Sequence, residues 1–376
     1  MKIVLDIGII PSKNASTMQI TKMANAFSYL NNDVTLIGNK HRTTLFNKCD
    51  ITNYYNINNN INIKLIIWIP RIPFYNEIYS IYKSKEIIKL SPDIVITRNI
   101  RILKILIKNN INVIFEYHHP FKDKSEYSIL EECINNNNFK GIIVITKSLK
   151  NHFIKILPNL INKIYVLPDG AEINNENETE TETISLTNNN NRNINIGYIG
   201  SLYPGKGIEL IYKLSKIAKN YNFHVIGGNS KDIRKWEKVS SNIKNLYFHG
   251  FVNQINLNKY KNAIDIFLLP NQEKIIIGDN INIGEFTSPL KMFEYMAMGK
   301  PIVASNLKVL KEILIDRYNS LLVEANDENE WLNSIEELVT DKTLANFISN
   351  NAKNDIITKY SYDKRAENII EICLKN

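Results

Sequence analysis

The sequence predicts an α/β protein made of two doubly wound domains that face each other across a cleft. The chain has 376 residues, and at roughly 150 residues per domain this length predicts two domains. Two runs of alternating apolar strands and amphipathic helices follow one another along the chain. A polar stretch rich in Asn, Glu and Thr separates them at 174–193 and predicts an exposed linker or insertion.

The first run opens with a strand, a helix and a strand, an order typical of a parallel sheet. Apolar residues predict a strand over 2–8, a helix over 17–30 and a second strand over 34–38. Three more buried strands are predicted, and they cover 93–97, 113–117 and 142–146. Because ligands of doubly wound sheets bind at the carboxyl ends of the strands, side chains that follow these strands are the candidates for function.

Composition limits the class of protein. Hydrophobic residues make up 44% of the chain, enough for substantial cores. Cys49, Cys133 and Cys373 are isolated and lack metal-ligand or redox spacing, which predicts free thiols in a reducing compartment. No apolar run reaches the ~18 residues of a membrane span, and the N-terminus predicts a strand and not a signal peptide. We therefore expect a cytoplasmic protein.

Positive charge is concentrated in the first half of the chain. The net charge is +8, yet residues 1–170 carry 22 Lys and Arg against 12 Asp and Glu. Such a surface favours anionic lipid or a pyrophosphate-linked partner, although ordinary solubility explains it equally. The stretch 65–71, with Lys83 beyond it, fits either a lipid interface or a core strand that leads into a helix. We expect no nucleic-acid partner.

The most informative motif covers residues 288–305. Ser288 suits a helix cap, Pro289 suits a first helical turn, and Gly299 suits the left-handed residue past the helix end. The helix between them is apolar on nearly every side, so the carboxylate of Glu294 needs a partner. A phosphate on the free N–H groups and a hydroxyl on Glu294 would meet both needs, which predicts a sugar nucleotide. The alternative is a ligand-free pair of Glu294 with Lys291.

This motif resembles the donor-binding motif of the retaining glycosyltransferases of family 4, also called group 1, which have the GT-B fold of two Rossmann-like domains. The resemblance implies that Glu294 holds the ribose and that the N–H groups of Leu290 and Lys291 meet the diphosphate. Phe286 stands where the family has a first, sugar-binding glutamate, and Glu285 one residue earlier is the candidate to replace it.

A second motif lies upstream, where a strand over 195–200 ends at Gly200 and leads into Ser201 and Lys206. Apolar residues at helical spacing follow, namely Ile208, Leu210, Ile211, Leu214, Ile217 and Ala218. The resemblance implies that Lys206 neutralises the leaving diphosphate, a role that fixed cations perform well. Ser201 stands where the family has an arginine. Taken alone, Lys206 also fits a solvated loop lysine.

Candidates for the acceptor side follow two strands of the first domain. His118 and His119 come after the strand over 113–117, and the resemblance implies a histidine near the reacting sugar, for which His118 is the better match. A structural histidine pair that caps the strand is the alternative. Arg98 follows the strand over 93–97 and suits an acceptor phosphate, or else a solvated loop.

These motifs predict domains over 1–170 and 194–355, a linker over 171–193, and a segment over 356–376. The resemblance implies that this last segment, with a helix at 366–375, crosses back to the first domain. It also implies transfer of a sugar from a nucleotide-sugar donor to a glycan or lipid-linked acceptor, with retention and without metal or cofactor. His118, Lys206 and Glu294 are the catalytic candidates. A sugar-nucleotide epimerase and a catalytically silent binding protein remain as alternatives.

Overall fold

The computed structural model of the protein describes residues 1–12, 14–41, 48–68, 75–121, 123–173, 184–186, 193–277 and 281–375. These residues form two compact units. Unit 1 comprises Met1–Asp169 and Tyr362–Asn376, and unit 2 comprises Gly170–Ser361. Most of the predicted linker, at 174–183 and 187–192, lies outside the described residues.

Unit 1 is built on one parallel sheet. Its strands are β1 (Lys2–Ile9), β2 (Asp33–His41), β3 (Asn62–Trp68), β4 (Ile94–Thr97), β5 (Val113–Tyr117), β6 (Phe139–Val144) and β7 (Ile164–Val166). They lie in the order β3-β2-β1-β4-β5-β6-β7 and all pair in parallel. Leu5 of β1 aligns with Leu36 of β2 and Ile96 of β4. The chain thus winds outward in both directions from a switch point between β1 and β4, as predicted.

The helices of unit 1 connect these strands and cover the sheet. The first six are α1 (Ala15–Tyr29), α2 (Lys48–Tyr55), α3 (Tyr75–Ile88), α4 (Ile100–Lys108), α5 (Lys124–Ile134) and α6 (Lys147–Ile156). Helix α1 begins at Ala15 and not at 17, because Asn14 has the extended backbone of a cap residue. Strand β6 begins at Phe139 and not at 142. The five predicted strands and the first helix are otherwise confirmed.

Unit 2 repeats the doubly wound design. Its main strands are β8 (Asn195–Ile199), β9 (Asn222–Ile226), β10 (Leu246–Gly250), β11 (Ile266–Leu269), β14 (Ile302–Ser305) and β15 (Leu321–Val323), and a short hairpin is formed by β12 (Ile276–Ile277) and β13 (Ile281–Asn282). The main strands pair in parallel in the order β10-β9-β8-β11-β14-β15. The switch point of this sheet lies between β8 and β11, so a ligand is expected at the carboxyl ends of these two strands.

The helices of unit 2 place its candidate residues at that edge. They are α7 (Ile208–Ile217), α8 (Ser230–Val239), α9 (Gln254–Asn262), α10 (Leu290–Ala297), α11 (Glu328–Thr340) and α12 (Lys342–Asp355). Helix α10 is tied to β8 by Tyr295, whose hydroxyl accepts from the Ile199 N–H at 2.7 Å and whose ring stacks on Phe267 at 4.3 Å. The predicted left-handed residue at the end of α10 is confirmed, because Gly299 has φ 60°.

The last helix, α13 (Tyr362–Lys375), belongs to unit 1 although it follows unit 2 in the chain. It is longer than the helix predicted over 366–375. Its apolar residues Ala366 and Ile369 share one buried core with Ala24 and Phe27 of α1. Among the described residues, no helix combines the length and the apolar character needed to cross a bilayer.

Candidate functional site

In unit 2, the loop after β8 places a buried cation at the switch point. Gly200 directly follows β8 and has φ 153°, a backbone conformation that favours glycine, and Ser201 comes next. Lys206 is only 9% exposed, and its Nζ lies 5.3 Å from the centre of the Tyr203 ring. The alternative of a solvated loop lysine is therefore wrong. A lysine held this close to the sheet edge is suited to bind an anion.

The start of α10 differs from the predicted cap. The first helical residue is Leu290, and Pro289 is the cap residue because its ψ of 123° is extended. Ser288 therefore lies one position before the cap and makes no capping bond. Its Oγ is buried without a hydrogen-bond partner among the described residues. The backbone N–H groups of the first turn consequently receive no side-chain cap, which leaves them to bind an anion.

Glu294 does not pair with Lys291. Its carboxylate instead lies 2.9 Å from Nζ of Lys261 on α9, with 29% of the Glu294 side chain exposed against 6% for Lys261. The alternative of a ligand-free Lys291–Glu294 pair is therefore wrong, because Lys261 from α9 reaches the Glu294 carboxylate instead. Lys261 thus holds one carboxylate oxygen of Glu294 and leaves the group partly accessible.

Lys291 has no such partner. Its Nζ is buried, makes no hydrogen bond among the described residues, and lies 4.0 Å from the centre of the Tyr198 ring. Burial, together with the nearby charge of Lys206, holds the pKa of Lys291 well below its ordinary value. The first turn of α10 therefore carries an amine that lacks an acceptor.

The two residues expected at the sugar lie in a turn before α10. Glu285 is exposed and Phe286 is half-buried. Thus Lys206 and the Nζ of Lys291 are both buried in unit 2, Glu294 lies on the same helix as Lys291, and Glu285 lies on the surface.

In unit 1, three donors converge on one oxygen of the Glu116 carboxylate. Oε1 of this buried residue lies 2.7 Å from His118 Nε2, 2.8 Å from Arg98 Nη2 and 2.9 Å from Arg365 Nη2. Burial opposes the charge on Glu116, but Arg365, Arg98 and His118 outweigh burial and hold its pKa well below the ordinary value. Because an ionised carboxylate only accepts hydrogen bonds, His118 carries its proton on Nε2. Nδ1 of a neutral His118 is then an acceptor.

Arg98 is not a solvated loop arginine, since only 19% of its side chain is exposed and Nη2 also donates to Gln19 at 2.6 Å. The two histidines do not act as a pair. The Nδ1 of His119 lies 2.8 Å from the Pro120 carbonyl, and its ring lies against Tyr117. Of the three acceptor-side candidates, Arg98 and His118 therefore meet at Glu116, and His119 has other partners.

Asp169 adds a second buried carboxylate to this cluster. It is 4% exposed, its Oδ1 has no hydrogen-bond partner among the described residues, and burial raises its pKa although His118 opposes the rise. Glu116, His118 and Asp169 each offer a ligand atom within 4.8 Å of the others. The two guanidinium groups on Glu116 nevertheless disfavour a further cation, so the residues fit a metal ion poorly. That the reaction uses no metal stays a prediction.

Sequence reasoning missed four of these residues. Lys261 and Arg365 lie in helices far along the chain from the carboxylates they bind, and nothing in their surroundings marks them. Tyr198 lies within a predicted strand as an apolar residue. Asp169 follows β7 in the sequence Pro-Asp-Gly, and this place after a strand is the signal that could have found it.

Comparison with known proteins shows which family the second half of the chain resembles. The family described as "Glycosyl transferases group 1" matches residues 193–341, which contain the loop after β8 and the whole of α10. Residues 193–341 of the chain are thus similar to the group 1 glycosyl transferases, as the sequence predicts. Solved structures with low sequence identity support the fold along the whole chain. The glycosyltransferase of Rickettsia africae matches with a TM-score of 0.73, 15% identity and coverage of 99% of this chain and 97% of that one.

The Anabaena protein HepE, solved in complex with UDP, matches with a TM-score of 0.70 at 12% identity and covers 100% of both chains. The GT-B fold class predicted from the sequence is thereby confirmed. Each unit carries its own doubly wound sheet.

Relatives found by sequence are all less than 30% identical to the chain. An uncharacterized glycosyltransferase of Methanocaldococcus jannaschii is 25% identical, over 67% of this chain and 64% of the relative. The poly(ribitol-phosphate) alpha-N-acetylglucosaminyltransferase of Staphylococcus aureus is 26% identical, over 68% of this chain and 48% of its own. A galactosyltransferase of Escherichia coli, named for UDP-Gal and alpha-D-GlcNAc-diphosphoundecaprenol, is 24% identical over 46% and 43%. The chain thus spans less than two thirds of the length of each relative.

Proposed function

We propose that this protein is a group 1 glycosyl transferase that transfers a sugar from a nucleotide-sugar donor to a glycan or lipid-linked acceptor, with retention of configuration. One observation carries the proposal. At the switch point of unit 2, Lys206 is buried, the buried Nζ of Lys291 lies within reach of its charge, and α10 begins without a side-chain cap among the described residues. Two basic side chains and free N–H groups suit a diphosphate.

The donor in this proposal extends from the cations to Glu294. Its ribose hydroxyls donate to the Glu294 carboxylate, which Lys261 holds at 2.9 Å. Its diphosphate accepts from Lys206 and from the N–H groups at the start of α10. The complexes of HepE with UDP and with UDP-glucose support a nucleotide sugar of this kind.

The acceptor in this proposal binds to unit 1 beside His118. The relatives that act on poly(ribitol-phosphate) and on a diphosphoundecaprenol-linked sugar support a glycan or a lipid-linked acceptor. Glu116 orients the imidazole through the 2.7 Å contact with Nε2, so Nδ1 is able to accept from a sugar hydroxyl. The basic character of unit 1 suits an acceptor that carries phosphate.

During the proposed reaction the bond between the anomeric carbon and the donor phosphate breaks. A bond to the acceptor oxygen forms on the same face of the sugar, and the acceptor proton passes to the leaving phosphate oxygen. Negative charge develops on the departing diphosphate, and Lys206 with the N–H dipoles of α10 stabilises it in the transition state. In this proposal the side chains of unit 2 bind the donor and stabilise the charge of the leaving diphosphate.

Replacement of Glu294 tests the donor site. We expect Glu294→Gln to weaken binding of the cognate nucleoside diphosphate about 10- to 100-fold, since hydrogen bonds to a charged group are worth about 1.5–3 kcal/mol. Calorimetry with UDP, GDP and their sugar conjugates measures the dissociation constants. Glu336→Gln, an exposed change on α11 in the same unit, is the matched control. An unchanged dissociation constant in Glu294→Gln contradicts the donor assignment.

Product analysis separates transfer from the alternatives. Incubation with the donor alone yields a changed free sugar nucleotide if the protein is an epimerase. Incubation with a panel of glycan and lipid-linked acceptors yields a glycosylated product if it is a transferase. Binding of the donor without turnover over that panel favours a silent binding protein. The anomeric configuration of any product decides between retention and inversion.

For localisation we propose a cytoplasmic protein that associates with the surface of an anionic membrane through unit 1. This unit carries 25 Lys and Arg against 15 Asp and Glu. Helix α3 presents Ile78, Ile81 and Tyr82 with exposed fractions of 56%, 47% and 53%. Their spacing puts them on one helical face together with the exposed Lys85. A basic helix with an exposed apolar face suits a lipid interface.

A further inference from the structure

Ser201 leaves a charge missing from the proposed diphosphate site. The group 1 resemblance puts an arginine at this position, and a serine hydroxyl cannot neutralise a leaving group. The distances around Tyr198 and Gly200 indicate that the side chain of Lys291 reaches the same place.

Lys291 lies against the loop that carries Ser201. Its Nζ is 4.0 Å from the centre of the Tyr198 ring, and the hydroxyl of that tyrosine donates to the Ser201 carbonyl at 2.7 Å. A Cβ atom placed on Gly200 would lie 3.7 Å from the same Nζ. The amine is thus held beside Gly200 and Ser201, although it comes from a helix that begins far along the chain.

Within the described part of the chain, the Lys291 amine also lacks a hydrogen-bond acceptor. It makes no hydrogen bond among the described residues, and the nearest acidic group on its own helix, Glu294, pairs with Lys261. Ser288, just before α10, has a buried hydroxyl that is equally unpartnered. Buried polar groups normally have partners, so two orphans at a helix start indicate that a ligand supplies the acceptors.

We propose that the side chain of Lys291 takes the place of the missing arginine at Ser201 and forms, with Lys206, the pair of cations that binds the donor diphosphate. This inference rests on the proposed function, because it assigns the charges within the same donor site. Tyr198 positions Lys291 for this role through its ring and positions the loop through its hydroxyl.

The lowered pKa of Lys291 predicts that diphosphate binding is accompanied by proton uptake, which a lysine with a merely structural role would not show. Burial and the charge of Lys206 disfavour the ammonium form in the free protein. An anionic diphosphate reverses that balance, so binding is coupled to uptake of a proton by Lys291. The buried phenol of Tyr198 stays protonated, since burial raises its pKa. Glu294 faces Lys261, so its charge is already compensated.

Calorimetry on the whole chain at pH 8 tests the proposal with UDP, GDP and the matching free nucleosides. We expect Lys291→Gln to weaken diphosphate binding about 10- to 100-fold, the value of a lost hydrogen bond to a charged group, and to leave nucleoside binding within about twofold. Lys291→Arg should restore affinity. Titration in two buffers of different ionisation enthalpy should show proton uptake in the unmodified protein and none in Lys291→Arg, because arginine is always charged.

Three further measurements distinguish a wrong role for Lys291 from a wrong donor site. Lys311→Gln changes an exposed lysine of unit 2 and should bind like the unmodified protein. Lys291→Met, which keeps the aliphatic stem against Tyr198, replaces Lys291→Gln if that variant does not fold. Equal diphosphate affinity in Lys291→Met and the unmodified protein, or equal losses for diphosphate and nucleoside, overturns the inference alone. An unmodified protein that binds no diphosphate overturns the proposed function itself.

Discussion

The Glu116 carboxylate shows how one residue acquires its role from distant parts of the chain. Arg98 follows β4, and sequence reasoning marked it as a possible anchor for phosphate. The structure pairs it with Glu116 and adds Arg365, which is 249 residues away from Glu116. Arg365 also donates from Nε to the Pro168 carbonyl at 3.0 Å. A fully buried carboxylate is stable here because two guanidinium groups compensate its charge.

Removal of Arg365 should destabilise unit 1 strongly. Arg365→Met leaves Glu116 with less compensation, and loss of one partner of a buried ion pair typically costs about 3–5 kcal/mol in the free energy of unfolding. Arg98→Met should cost less, because the Arg98 side chain is 19% exposed and that of Arg365 only 4%. Urea denaturation followed by circular dichroism measures both. Glu116→Gln added to Arg365→Met should recover part of the loss, and a double variant less stable than Arg365→Met would contradict this account.

At the scale of elements, adjacent strands of unit 2 bring two histidines into contact. His224 on β9 lies 3.0 Å from His249 on β10 through Nδ1 and Nε2, and its Nε2 lies 3.1 Å from the Asn195 side chain on β8. Burial, together with the neighbouring His249, lowers the pKa of His224 to about 3, and burial also lowers the pKa of His249. Both rings are therefore neutral in the folded protein near neutral pH.

Acid should weaken unit 2 through this histidine pair. In the unfolded chain His224 titrates near 6.5, so between about pH 6.5 and 3 the unfolded state binds the extra proton. The contribution of His224 to stability is complete above pH 6.5 and falls with pH, by up to about 1.4 kcal/mol per pH unit. Thermal melts from pH 8 to pH 5 should show a smaller loss in His224→Gln than in the unmodified protein. Parallel pH profiles for the two proteins would refute the assignment.

At the scale of the whole molecule, charge is divided unequally between the two units. Unit 1 has an excess of ten positive charges, from 25 Lys and Arg against 15 Asp and Glu. Lys83, which the sequence offered as a lipid-facing residue, is buried and pairs with Asp6, so it does not contribute to such a surface. The exposed face of α3 with Ile78, Ile81 and Tyr82 is the structural alternative.

Vesicle binding tests this face. We expect the protein to bind phosphatidylglycerol vesicles and not phosphatidylcholine vesicles, and to lose binding as salt screens the attraction. Ile81→Glu should weaken binding at least about tenfold, since it buries a charge at the interface and repels anionic lipid. Ile217→Glu, at a similarly exposed position on α7 of unit 2, is the matched control. Equal loss in both variants, measured by cosedimentation, would show that α3 has no special role.

Local patterns were sufficient to predict the two doubly wound sheets and the loops at their functional edges. Runs of apolar residues marked β1, β4 and β5, and helical spacing marked α7, because these signals depend on neighbours in the chain. The left-handed Gly299 was likewise predictable, since a helix end requires a residue of that kind. Helix-cap signals marked the helix that carries Lys291 and Glu294, whereas Lys206 was singled out by the resemblance to the group 1 family.

The tertiary structure alone decided which charges meet. Helical spacing suggested a pair of Lys291 with Glu294, but Lys261 from another helix binds Glu294 and leaves Lys291 beside Tyr198. Likewise, Arg365 reaches Glu116 only because α13 packs against α1. An ion pair depends on the distance and burial of two side chains, and these follow from how distant elements pack, which no local pattern records.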